Sequence, residues 1–141
     1  MYIDSNIFIF AAQGQGELGK NCRKIISLVE NGNIICASSY LVIDEVIWVL
    51  KKNIGRGKAV KIVKAMISLP IKWLEVDRRT IMQMVETFET SNLDPRVSLH
   101  ISSMKIAGIS TIVSEDGDFD PIGSVERMTA VDCLKRYWGS G

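Results

Sequence analysis

The chain has 141 residues, 47% of them hydrophobic and 23% charged. That is the size and composition of one compact domain (1–141), and it excludes disordered, collagen-like and disulfide-dense classes. Seventeen basic residues against sixteen acidic ones leave a formal charge of +1, so net charge selects neither a nucleic-acid nor a membrane partner.

In chain order, Met1 to Ile3 has the length and apolar character of a first strand. Asp4, Ser5 and Asn6 follow it, and all three side chains accept from nearby backbone N–H groups, as in a helix N-cap or Asx turn. Gly14 to Gly16 reads as a flexible loop, too short for a phosphate cradle. Glu17 to Val29 has helical spacing with Leu18, Cys22, Ile25, Ile26 and Val29 inward, and Asn31-Gly32-Asn33 ends it. Ile34 to Ala37 is the second expected strand, and Ser38-Ser39 opens a helix over Tyr40 to Lys52 that is apolar nearly all round.

Lys58 to Leu69 is the clearest amphipathic helix. Lys58, Lys61 and Lys64 lie on one side, and Ala59, Val60, Ile62, Val63, Met66 and Ile67 on the other. Strands at Ile71–Val76, Ser110–Val113 and Arg127–Ala130 and helices at Arg78–Thr87, Pro95–Ala107 and Val131–Tyr137 complete the alternation. Strands separated by helices predict an α/β fold, a three-layer α/β/α domain with a central parallel sheet of four to five strands. Binding sites in such sheets form beyond the carboxyl ends of the strands, where strand order reverses.

Cys22, Cys36 and Cys133 are an odd set without Cys-x-x-Cys spacing, which predicts reduced core thiols. Asp4 and the Asp44-Glu45 pair interrupt the apolar stretches, so neither a secretory signal nor a membrane span is expected, and a cytoplasmic location is. A nucleophile elbow, P-loop and dinucleotide fingerprint are all missing. His100, the only histidine, falls near Val97, Ile101 and Met104 and reads as a core or pocket-edge residue before a catalytic base.

The acids carry the chemical signal. Asp4 follows the first strand. Glu115, Asp116, Asp118 and Asp120 crowd a loop after the fourth, either as a solvated acidic loop or as the oxygen-rich surroundings of a hard divalent ion. Glu45 has Leu41, Val42, Trp48 and Val49 around it on the helix, where an unpaired carboxylate is costly. Asp44 is similarly hemmed in, and spacing does not choose between them. Asp94 before Pro95 has the form of an N-cap and N1 pair.

In this order the acids resemble the PIN-domain ribonucleases, most closely the small toxins of VapC type. The motifs are Ile3-Asp4-Ser5-Asn6, Glu45 through Leu50, Asp94 through Ser102-Ser103 to Ala107-Gly108, and Ser114, Asp116, Asp118 and Phe119. Ser5 and Ser114 stand where the family often has Thr, and Pro95 where Ala is common. The resemblance selects Glu45 over Asp44. It implies an acidic pocket for Mg²⁺ or Mn²⁺ that hydrolyses phosphodiester bonds of RNA, with Asp4, Glu45, Asp94 and Asp116 as metal ligands. Asp118 would assist catalysis, and Ser5 and Ser114 would give hydrogen-bonding support. It further implies a homodimer and a cognate antitoxin that lays a peptide over the pocket.

Seven basic residues and no acidic one lie between Val46 and Leu74, leaving −6 for the rest of the chain. Lys51, Lys52, Arg56, Lys58, Lys61 and Lys64 are therefore candidate RNA contacts, against the plainer reading of a solvated helix face. The alternatives are a PIN nuclease for RNA processing or structured DNA, and a non-catalytic RNA- or partner-binding module. A haloacid-dehalogenase-like phosphatase is disfavoured, because Asp4-Ser5-Asn6 lacks Asp-x-Asp.

Overall fold

The computed structural model describes residues 1–138; the last three residues of the expected domain lie outside them. Five short strands, β1 (Tyr2–Ile3), β2 (Ala37–Ser39), β3 (Lys72–Leu74), β4 (Thr111–Val113) and β5 (Glu126–Met128), form one sheet in the order β3-β2-β1-β4-β5, with every pairing parallel. The helices are α1 (Ser5–Gln13), α2 (Gly16–Glu30), α3 (Tyr40–Ile54), α4 (Arg56–Ile67), α5 (Arg78–Thr90), α6 (Pro95–Ile106) and α7 (Ala130–Tyr137). A parallel sheet has to be covered on both faces. Helix contacts fall into two groups, α7, α2, α1, α3 and α4 in one and α5 with α6 in the other. Right-handed crossovers that run outward from β1 and then return across the sheet to β4 produce that division.

The central strands are fully buried at Tyr2, Ile3, Ile112 and Val113. Val42, Val46 and Leu50 of α3 and Met104 of α6 are as deeply enclosed. All three cysteines are free and buried, and burial raises the Cys22 thiol to about 12 and those of Cys36 and Cys133 to about 11.

Three local readings change. The segment Ser5–Gln13 is helix α1, which the sequence reading left unassigned. Its Ile-Phe-Ile-Phe run has no polar stripe to betray a helical period, and Asp4 caps it by accepting from Ser5 N–H. Strand β2 begins at Ala37 and takes in Ser38 and Ser39, because Ser38 Oγ donates to Ile3 O (2.8 Å) across the sheet while Ile35 stands 90% exposed. Strand β5 stops at Met128, since Thr129 and Asp132 form a capping box that starts α7.

Gly14 to Gly16 is a tight corner. Gly14 N–H donates to Phe10 O (2.8 Å), and a Cβ on Gly19 would run into the carbonyl oxygen of Gly14. Glycines at 14 and 19 thus let the end of α1 and the start of α2 touch backbone to backbone.

Candidate active site

The strand order reverses between β1 and β4, and each of these strands delivers a polar residue at its carboxyl end, Asp4 and Ser114. Asp4 N–H donates to Val113 O (3.1 Å), which extends the β1–β4 pairing by one residue and fixes where the carboxylate points. Asp4 Oδ1 accepts from Ser5 N–H (2.7 Å) and Ser5 Oγ (3.3 Å). Oδ2 accepts from Asn6 Nδ2 (2.9 Å) and Ser114 Oγ (2.6 Å). Helix N-cap and site carboxylate are therefore one arrangement. Ser114 Oγ also accepts from Asp116 N–H (3.0 Å) and Asn6 Nδ2 (2.9 Å), so these turns hold one another.

Helix α3 turns Glu45 inward and leaves Asp44 exposed, which decides between the two acids that spacing left equivalent. Glu45 Oε1 accepts from Arg96 Nη1 (3.0 Å) and stands 3.1 Å from His100 Nε2. His100 is 4% exposed, and its Nε2 is 3.9 Å from Asp4 Oδ1. These residues, with Ser5, Asn6, Trp48, Val97, Asp116 and Phe119, line a cleft of about 530 Å³.

Asp116 lines the same cleft, with its Oδ1 accepting from Asp118 N–H (2.9 Å). Asp118 is exposed and does not line it. Asp94 caps α6 without a side-chain cap bond, is exposed, and is likewise not a lining residue; Val97, one turn later, occupies the wall. A larger groove of about 1050 Å³ runs between α5, α6 and the loops around β4 and β5. Among the described residues, however, only Asp4, Glu45 and His100 bring three metal-ligating side chains together.

The PIN domain family model matches residues 1–124. The chain belongs to the PIN domain family.

Among solved structures, Mycobacterium tuberculosis VapC20, described as a sarcin-ricin-loop-cleaving toxin, is similar with a TM-score of 0.74. Identity is 16%, over 89% of this chain and 96% of that one. DNA-bound VapBC from Salmonella typhimurium gives 0.69 at 16% identity, covering 92% and 96%. VapBC2 of Rickettsia felis, bound to a promoter fragment, gives 0.69 at 14%, covering 91% and 96%. At such identities the likeness is one of fold. No curated protein sequence matches the chain. PIN domains are nucleases as a family, and this coarse activity accompanies the membership.

In this PIN domain the two innermost acids differ electrostatically. Burial pushes the Asp4 carboxyl above its ordinary value, against the lowering effects of His100, Ser114 and Ser5. Burial acts the same way on Glu45, but hydrogen bonds and charge from His100, with bonds from Ser5 and Arg96, outweigh it and hold that carboxyl at about 2. A divalent ion fits this donor set. Two carboxylates and an imidazole nitrogen present ligand atoms within 4.8 Å of one another, and the buried Asp4 is short of positive charge.

Arg96 is a lining residue that no sequence motif marks, while Asn6 and Trp48, named above only in the first motif and beside Glu45, line the cleft as well. Arg96 and His100 sit four apart on α6 and so share a face, the only signal that pointed to the pair. The six candidate RNA-contacting residues, Lys51, Lys52, Arg56, Lys58, Lys61 and Lys64, are all exposed, from the end of α3 along α4. Lys52 Nζ lies 5.7 Å from the Trp48 ring centroid, and Trp48 is 63% exposed at the cleft.

Proposed function

We propose that the chain is a metal-dependent endoribonuclease that hydrolyses phosphodiester bonds of RNA and serves as the toxin of a toxin–antitoxin pair. The observation that carries this reading is the meeting of Asp4, Glu45 and Asp116 in one cleft at the strand-order reversal. These three acids would hold a Mg²⁺ or Mn²⁺ ion, with Asp94 and Asp118 as outer acids. Such an ion, when bound, neutralises phosphate charge and lowers the pKa of water.

The chain's own residues do the rest. Ser5, Asn6 and Ser114 lock the Asp4 rotamer from both oxygens. Arg96 has one nitrogen on Glu45, and its side chain lines the cleft and is 62% exposed, so its remaining N–H groups would be available to a phosphate oxygen there. The exposed cations of α3 and α4 would attract the RNA backbone.

The similarity of fold to VapC20 and to VapBC complexes supports an RNA target and an antitoxin partner. Homodimerisation and a cytoplasmic location belong to the same reading. No helix among the described residues is long and apolar enough to cross a membrane.

The test is cleavage of a mixed cellular RNA pool by purified, antitoxin-free protein, with and without Mg²⁺ or Mn²⁺, beside Asp4→Asn. Cutting that requires the ion and falls to background in the variant is expected. No cutting by folded protein with either ion overturns the nuclease and favours a binding module.

A further inference from the structure

His100 stands in the donor set of the site, but the three-acid reading above gives it no role, and its surroundings define which nitrogen faces the cleft. Tyr2 Oη is hydrogen-bonded both to Ser39 Oγ (2.9 Å) and to His100 Nδ1 (2.8 Å). With Nδ1 held from outside the cleft, Nε2 faces the site, 3.1 Å from Glu45 Oε1 and 3.9 Å from Asp4 Oδ1; without an ion it donates to the Glu45 carboxylate, and an ion held by both acids would take the place of that proton. Metal-ligating histidines show this pattern, in which one ring nitrogen is held by an outer hydrogen bond and the other faces the ion. Phe119 meets the imidazole edge to face at 6.3 Å, and Tyr2 does so at 5.8 Å, which fixes the ring plane.

Helix α6 gives the cleft Arg96, Val97 and His100, and hence no carboxylate. The donor it does supply is a nitrogen. We propose that His100 Nε2 is a direct ligand of the ion held by Asp4 and Glu45, so that the site selects a first-row transition ion over Mg²⁺. Mg²⁺ is a hard cation that takes oxygen ligands, whereas imidazole favours the later divalent ions in the order Mn²⁺, Fe²⁺, Co²⁺. The inference rests on the metal-dependent reading above and refines which ion that reading requires. Tyr2 and Ser39 act as positioning residues, holding the ring without touching the ion.

The experiment is calorimetric titration of the full chain with Mg²⁺, Mn²⁺ and Co²⁺. Pulsed electron paramagnetic resonance of the Mn²⁺-loaded protein then reads directly bound ¹⁴N. Affinity should rise from Mg²⁺ to Co²⁺, the spectrum should show imidazole nitrogen, and His100→Gln should remove that signal and weaken Co²⁺ binding about 10- to 100-fold while sparing Mg²⁺. The wild-type spectrum decides the matter even if the variant misfolds. Mn²⁺ bound at a site that Asp4→Asn abolishes, but without ¹⁴N coupling, overturns the ligand role and leaves the metal-dependent nuclease standing. Absence of binding by any of the three ions overturns both.

Discussion

Asp4 accepts hydrogen bonds on both oxygens, and yet burial still drives its carboxyl upward. Its ionised form is tolerated for the site's chemistry at some expense to stability. Glu45 has the opposite sign. Its carboxyl sits at about 2 against an ordinary 4.5, so its stabilising contribution is fully present above pH 4.5 and drains away as pH falls through 2. Glu45→Gln should therefore lower stability at pH 7 by about 3 kcal/mol. In denaturant titrations across pH the gap to wild type should close on approaching pH 2; a gap that persists unchanged there contradicts the assignment.

The acids also differ in placement. Asp116 lines the cleft, whereas Asp94 is exposed and outside its lining. Asp116→Asn should cost much more RNA cleavage than Asp94→Asn, by about 10-fold or more. Equal losses would return Asp94 to the ligand set. The third motif was legible as a capped helix, but an N-cap acid lies at the start of the helix, off the face on which Val97 and His100 turn inward.

At the level of elements, the corner between α1 and α2 is set by two glycines whose backbones touch. Gly19→Ala would drive a methyl group into the carbonyl of Gly14. Expected destabilisation is about 1–3 kcal/mol, read as a lowered thermal midpoint, and an unshifted midpoint would mean that the corner is not tight. The neighbouring helix α1 shows why this region was the least readable. An all-apolar run buried at Ile7 and Phe8 has neither a strand's alternation nor a helix's stripe. Helices α2, α4 and α5, each with one wet face, were placed to within a few residues by their period alone.

For the whole molecule, charge is segregated rather than balanced. A +7 segment spans the end of α3, all of α4 and the start of β3, while Asp4 and the acids from Glu115 to Asp120 follow the carboxyl ends of β1 and β4. Reversing Lys58, Lys61 and Lys64 to Glu should weaken RNA binding and flatten its dependence on salt, by roughly one unit of log–log slope for each phosphate that is no longer neutralised. Unchanged affinity and slope would return these lysines to simple solvation.

Local periodicity and residues close in the chain were enough to read the α/β alternation, the parallel sheet and the motif order that resembles PIN domains. They also identified Asp4 and Ser114 as strand-end residues. Spacing left Asp44 and Glu45 equivalent and the resemblance selected Glu45; only the tertiary structure showed that Val97 takes the wall instead of Asp94 and that His100 stands between two carboxylates. Those outcomes depend on how α3 and α6 are rotated against the sheet. That rotation brings together residues far apart in the chain, such as Glu45 with His100, 55 positions away, and no local pattern encodes it.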